Sequence, residues 1–340
     1  MKYSLVLLLC FFSATGLSQS NSQPNVIWVV IDGVRYQDWD QGGTNDFGDP
    51  VSPENLFPHL KELSKKGRYF SNGKISNPAA ISLPAYSDMF VGRRQEGVVS
   101  NHPKNEMSEY PTIFDVLSQS SSIASKQVGI FSSWKPLCKM ASAKETPLFF
   151  RSCGWSKGPY LKPEVFSGSR TDIDTFLEFS AEIKKGLFRF AFIHFGDADE
   201  EAHLHEKVLR TKGESYGIFH YHEALKRSDY LVERIWNLVQ SLPQYKDNTY
   251  LLVTTDHGRD DVPNTDQWWD HGECKKHLGG KLCAACQKIF AVVMGPEVSK
   301  GVSDRVFDHR DLAPTVASWL GEEMKQATGK VIFTPDKNSQ

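Results

Sequence analysis

Apolar positions along the chain gather into short, nearly unbroken runs, and three of these runs end on an aspartate. Asn25-Val-Ile-Trp-Val-Val-Ile31 leads to Asp32-Gly33, residues 188–195 lead to Gly196-Asp197-Ala198-Asp199, and residues 249–255 lead to Asp256-His257-Gly258. Runs of this length, rich in Val, Ile and aromatic residues, read as strands buried on both faces. Residues 289–294, before Gly295-Pro296, read as a fourth. Amphipathic stretches such as residues 58–66 and 221–242 read as helices between them. Strands alternating with helices predict an α/β fold, a three-layer α/β/α sandwich around a largely parallel central sheet. In such sheets ligands bind at the carboxyl ends of the strands, where the three aspartates fall.

Carboxylates gathered at strand ends repel one another unless a cation sits among them. Histidines stand at ligand-like spacing beside them, in Asp199-Glu-Glu-Ala-His203, Asp256-His257 and Asp270-His271-Gly272. Asp32, Asp199, His203, Asp256, His257 and His271 together would furnish two divalent-metal sites of mixed nitrogen and oxygen character, suited to zinc. One strand-end Asp is usually a turn or cap residue; six such groups are not explained that way. Asp197 competes with Asp199, which is preferred because its spacing places it on one side of a helical turn with His203. His205 could substitute for His203 but reads as a surface residue, His194 reads as a satisfied core histidine, and Trp134, Trp155, Trp268 and Trp269 could line a substrate pocket, although ordinary packing is preferred for most of them.

The segment from Asn77 to Gly92 reads as a loop feeding a helix, with Ser82 at the N-cap, Pro84 in the first turn and Val91 near the end. A helix N-terminus also stabilises negative charge, so an alkoxide at Ser82 is well placed to attack phosphorus. Capping residue and nucleophile are compatible roles.

Taken in order, these motifs resemble the alkaline phosphatase superfamily of metalloenzymes, particularly its nucleotide pyrophosphatase/phosphodiesterase-like branch. Asp32-Gly33-Val34-Arg35, Ser82-Leu83-Pro84, Asp199 with His203, Asp256-His257-Gly258 and His271-Gly272 carry the resemblance. It extends from Asn25 to about Gly321, where the stretch from His309 resembles the family's closing helix. The resemblance implies one metal held by Asp199, His203 and His271, and a second held by Asp32, Asp256, His257 and the Ser82 oxygen. It also implies that Ser82 is the nucleophile of an in-line attack on a small-molecule phosphate ester, through a covalent phosphoseryl intermediate. Asn101 resembles the family's Asn that hydrogen-bonds a phosphoryl oxygen; its other reading is a turn residue before Pro103.

Ser82-Leu-Pro-Ala-Tyr86 is also close to the sulfatase pattern Ser/Cys-x-Pro-x-Arg, whose Ser or Cys is converted to formylglycine. Tyr86 replaces the Arg, and Gly33 stands where sulfatases of this superfamily place an adjacent acidic residue, so phosphoryl transfer is preferred to sulfuric ester hydrolysis. Neutral Asn101 favours diesters, whereas Arg93 or Arg94 would favour monoesters if either reached the site. A metal-binding relative without turnover is the reading from another class, and Ser82 in the nucleophile position speaks against it.

Composition narrows the remaining choices. With 40% hydrophobic residues and 24% charged, the chain is neither disordered nor collagen-like. Its 39 Lys plus Arg against 41 Asp plus Glu supply no electropositive field for a nucleic acid duplex. Lys2 before an apolar run from Leu5 to Phe12, then Ala14, Gly16 and Ser18, reads as a signal peptide over residues 1–18, so the protein is expected to be exported, periplasmic or secreted. No later stretch reaches membrane-spanning length, so stable membrane insertion is not expected. Five cysteines follow, and an oxidising compartment makes disulfides the default: Cys138 with Cys153, and Cys274 with Cys283 or Cys286. A structural zinc held by Cys274, His277, Cys283 and Cys286 is the lesser alternative. The catalytic domain is expected over residues 24–325, with a cap insertion at 134–171, a disulfide-bearing insertion at 259–288 and a tail at 326–340.

Overall fold

All residues of β1 (Asn25–Ile31) are buried, as a strand covered on both faces requires. The computed structural model describes residues 23–102, 107–144, 147–154, 169–261, 267–272 and 283–334. After β1 come α1 (Tyr36–Asp40), β2 (Gly43–Thr44), β3 (Pro50–Val51), α2 (Pro53–Leu56), α3 (Pro58–Lys66), β4 (Arg68–Lys74), α4 (Ser82–Val91), α5 (Ile113–Ser118), β5 (Val128–Ser132), α6 (Pro136–Met140) and β6 (Phe150–Cys153). The chain continues through α7 (Asp172–Ile183), β7 (Phe190–Phe195), α8 (Asp197–Lys212), α9 (Phe219–Ser241), β8 (Thr249–Thr254), β9 (Lys288–Met294), β10 (Gly301–Ser303), β11 (Phe307–Asp308) and α10 (Leu312–Trp319).

The central sheet has the order β10-β4-β9-β8-β1-β7-β5-β6, with β11 beside β4. The strands from β8 to β6 are mutually parallel. The fourth predicted strand is present as β9, but it runs antiparallel to both β8 and β4. A parallel neighbour needs a crossover, usually a helix, and the described residues between β8 and β9 contain none. The predicted fold class is the one observed.

Strand periodicity divides the core between the two faces. Val26, Trp28 and Val30 of β1 join Phe190 and Phe192 of β7 under α4, α5 and α10, while Ile27, Val29, Ile31, Ile193 and Phe195 pack under α3, α7, α8 and α9. Fully burying each of these large side chains contributes about 1.5–3 kcal/mol. The register pairs Ile31 with Phe195 and Val30 with Thr254. Three strand ends therefore lie level, and Asp32, Gly196 and Asp256 emerge at one edge of the sheet.

Two details differ from expectation. Residues 134–171, read as a cap, contain α6 and an edge strand, β6, that extends the central sheet beside β5; residues 155–168, with Trp155, lie outside the described residues. Cys138–Cys153 ties α6 to β6 as expected, but the second disulfide joins Cys283 to Cys286, leaving neither for Cys274 or for a zinc site. Their Cα atoms lie 5.1 Å apart in the turn that enters β9, within ordinary disulfide reach. Cys274, His277, the signal segment and residues 335–340 lie outside the described residues. Among the described residues no helix is long and apolar enough to cross a membrane.

Candidate active site

Asp32 leaves β1 into a turn that Gly33 makes with φ +66°, a backbone region that costs other residues energy. The Gly33 N–H donates to Asp256 Oδ1 at 3.0 Å, which joins the ends of β1 and β8. One residue on, His257 donates from Nδ1 to the Gly258 carbonyl at 2.9 Å. That bond fixes the tautomer and leaves the Nε2 lone pair facing the site. Nε2 lies 3.4 Å from Ser82 Oγ, 3.5 Å from Asp32 Oδ1, 3.5 Å from Asp256 Oδ2 and 3.9 Å from Asp199 Oδ1.

Ser82 is not the N-cap. Ile81 takes that position, and Ser82 is the first residue of α4. Its hydroxyl is therefore not spent on capping and points at His257. Asn101 accepts from the Leu83 N–H at 2.9 Å, so its carbonyl serves the helix end while the residue also lines the cleft.

Asp199 and His203 occupy successive turns of α8, 3.2 Å apart. Asp197 faces elsewhere: it accepts from the Asp172 N–H and pairs with Arg227 at 3.2 Å. His271 stacks on His257 with ring centroids 4.6 Å apart and lies 5.0 Å from the His203 ring. All the predicted ligands thus meet at one end of the sheet. Two clusters satisfy metal-ligand geometry, Asp199 with His203 and His271, and Asp32 with Asp199 and His257. Asp199 is common to both, where the resemblance assigned it to one.

The donor set fits divalent cations on the evidence of its own electrostatics. Asp32 Oδ1 and Asp256 Oδ2 are buried without a hydrogen-bond partner and flank an unprotonated nitrogen. Burial, then the neighbouring Asp32, push the Asp256 carboxyl well above the usual carboxylate range. Burial lowers His257, and burial followed by His257 lowers His271 well below an ordinary imidazole. Two charges work the other way. Burial alone would raise Asp199, but His203 and Arg259 outweigh it and hold the carboxyl well below its usual value. Burial alone would lower His203, but Asp199 and Glu206 bring it to about 9. Acceptors converging on one point with too few protons among them make a candidate cation site.

Three neighbours were given no role in the site by the sequence. Arg259, directly after Asp-His-Gly, is buried and donates to Asp199 through Nη2, to the Gly33 carbonyl at 2.8 Å and to the Trp269 carbonyl. His194, read as a core histidine, contacts Asp32 Oδ2 at 3.0 Å, and the Tyr86 hydroxyl donates to the same oxygen at 3.2 Å. Trp134 lines the cleft with Ser169. Sequence clues exist for three: Arg259 adjoins a motif, Tyr86 lies one helical turn from Ser82, and His194 lies two residues before Gly196 on the Phe192 side of β7. His205 corrects an expectation, being fully buried against Trp268 and Trp269 because it follows Ala198 and Ala202 along the inner face of α8. Trp268 and Trp269 are buried, as packing residues should be. Arg93 donates to the Gln326 carbonyl and Arg94 pairs with Asp88, so neither reaches the cleft.

Gly33 is also sterically enforced, because a Cβ there would lie 2.6 Å from Arg259 Nη2 and 2.7 Å from Asp199 Oδ1. Gly33→Ala is expected to lose about 1–2 kcal/mol from left-handed backbone strain alone, and more from displacing Arg259. Urea denaturation of the two proteins measures the loss; equal midpoints would show that the turn relaxes freely.

A protein-family model described as Sulfatase matches residues 24–322. Solved structures share the fold at low identity. A member of the alkaline phosphatase superfamily from Vibrio parahaemolyticus has 16% identity and a TM-score of 0.61 over 92% of this chain and 70% of its own. A 2-O GAG sulfatase has 14% identity and a TM-score of 0.59 over 88% and 71%. The lipoteichoic acid synthase LtaP from Listeria monocytogenes has 14% identity and a TM-score of 0.58 over 91% and 75%. No curated protein matches the chain.

Proposed function

Because the chain belongs to the sulfatase family, we propose that it is a metal-dependent ester hydrolase whose substrate is a phosphoric ester, attacked by Ser82. The observation that carries this reading is the Ser82 hydroxyl at the first residue of α4, 3.4 Å from His257 Nε2 and unspent on capping. Divalent cations, zinc by the nitrogen and oxygen character of the donors, would supply Lewis-acid charge that favours ionised serine and neutralises the ester oxygens. Asp199, His203 and His271 would hold one, and Asp32, Asp256, His257 and Ser82 the other. The N-terminus of α4 adds its own positive potential at the Ser82 oxygen. Ser82, its proton given up to solvent, forms the new bond from Oγ to phosphorus as the alcohol oxygen leaves on the opposite side and takes up a proton, and water then cleaves the Ser82–phosphorus bond, freeing a phosphate monoester from a diester or phosphate from a monoester.

Two residues favour phosphorus over sulfur. Tyr86 replaces the arginine of the sulfatase pattern, and position 33 has no room for a second acidic side chain. The described cleft-lining residues outside the expected ligands include Asn101, Trp134, Ser169 and Glu200, with no Lys or Arg among them, which favours an ester with one negative charge, a diester. The proposal places the enzyme outside the cytoplasm, after removal of residues 1–18, with residues 24–325 as its catalytic domain.

A second reading has an observation of its own. The family match and the sulfatases among the structural neighbours favour a sulfuric ester over a phosphoric one. Zinc-loaded protein assayed on bis-p-nitrophenyl phosphate, p-nitrophenyl phosphate and p-nitrophenyl sulfate separates the cases. Fastest turnover of the phosphodiester is expected. Cleavage of the sulfate alone would overturn the phosphoric reading, and two bound metals with no turnover of any ester would favour a binding protein.

A further inference from the structure

Asp32 is buried, and its two oxygens have different surroundings. Oδ2 accepts from the Tyr86 hydroxyl at 3.2 Å and from His194 Nε2 at 3.0 Å, whereas Oδ1 has no hydrogen-bond partner and faces His257 Nε2 at 3.5 Å. An ionised carboxylate only accepts, so Nε2 of His194 carries a proton. We propose that Tyr86 and His194 are positioning residues that clamp Oδ2 of Asp32 and thereby aim Oδ1 at the metal, an inference that rests on the metal-binding part of the function proposed above.

Both donors are themselves held. The His194 ring is fixed on its far side by Ser132, whose hydroxyl donates to Nδ1 at 3.0 Å while its Oγ accepts from the Trp134 N–H at 3.0 Å. The Tyr86 ring is fully buried and packs edge-on against His194 at 5.4 Å and Phe192 at 6.3 Å. The arrangement gives the departure from the sulfatase pattern a role. Tyr86 lies one turn beyond Ser82 on α4, so the helix that presents the nucleophile also sets the angle of a metal ligand. An arginine at that position would place a full positive charge against Asp32 and weaken its hold on a cation, whereas a phenol orients the carboxylate and leaves its charge intact. His194 adds the same constraint from β7 and connects it, through Ser132, to the wall of the cleft at Trp134.

The test measures metal rather than turnover. Zinc affinity by chelator competition, the visible spectrum of the cobalt(II)-substituted protein and the melting temperature of the metal-free form are compared in wild type, Tyr86→Phe, His194→Leu and His194→Gln. Tyr86→Phe and His194→Leu are each expected to weaken one metal equivalent by about 10–100-fold, alter the cobalt bands of that site and leave the other equivalent in place. Tyr86→Phe keeps the ring, so its metal-free melting temperature should match wild type. His194→Gln, whose amide N–H reaches the place of Nε2, should restore most of the affinity. Unchanged zinc affinity in Tyr86→Phe and His194→Leu, or His194→Gln as weak as His194→Leu, would overturn the proposal. If wild type binds metal but cleaves none of the three esters, the functional reading fails while these affinity shifts still decide the role of Tyr86 and His194.

Discussion

Ser82→Ala is expected to lower phosphoric ester turnover by at least about a thousandfold, the scale seen when a nucleophile is removed from a site whose parts act as a unit. The fold should survive, because Ser82 makes no capping hydrogen bond and the change removes one buried oxygen. Metal content decides how the loss is read. Asp199, His203 and His271 do not involve Ser82, so their cation should remain at wild-type affinity, while the other site should bind more loosely. Turnover reduced only a few-fold, with both metals in place, would mean that another group or a water makes the attack. Complete loss of both metals would mean that Ser82 shapes the site rather than reacting in it.

Arg259→Ala is expected to be the most destabilising single change near the site, by about 3–5 kcal/mol, the range for removing one partner of a buried ion pair. Arg259 pairs with Asp199 and donates to the Gly33 and Trp269 carbonyls, so its loss removes a buried cation and three hydrogen bonds, with Asp199 left to His203 and the Gly33 carbonyl to the Tyr221 hydroxyl. Zinc should narrow the difference, because a bound cation replaces the positive charge that Arg259 contributes beside Asp199. Denaturant titrations with and without zinc measure both effects. A loss under about 1 kcal/mol in the metal-free protein would show that Asp199 rehydrates and that the pair acts as a surface one.

The sheet and the gathering of the candidate ligands at one end of it were legible because each rests on a local signal. Apolar runs of seven or eight residues and the aspartates that end them are visible without knowledge of neighbours, and register then brings the ends together. The antiparallel direction of β9 was not legible, since a buried run reads the same in either direction. The Ser82 N-cap was misassigned because Ser before x-Pro fits N-cap and first-turn positions equally well, and the Ile81 backbone angles decide between them. The site contacts of Arg259 and His194 were not legible for a different reason. Their roles depend on partners at Asp199 and Asp32, far away in sequence, and a buried arginine or strand histidine carries no mark of its partner. Of the two cysteine pairings, Cys138–Cys153 was legible and that of Cys274 was not, because the entry into β9 brings Cys283 and Cys286 within reach of each other.

The position of β1 bears on the order in which the protein assembles. This first strand takes its neighbours from β7 and β8, pairing Val26 with Phe190 and with Tyr250, so it has no sheet partner until most of the chain is present. Contacts of such sequence separation slow folding, because loop closure must precede any gain from pairing. Asp32, at the end of that strand, can therefore meet Asp199, Asp256 and His257 only once β1 has joined β7 and β8. A metal held by these residues would then report a finished sheet rather than nucleate one, and a chain trapped with β1 unpaired would expose an apolar strand with free edges, open to aggregation.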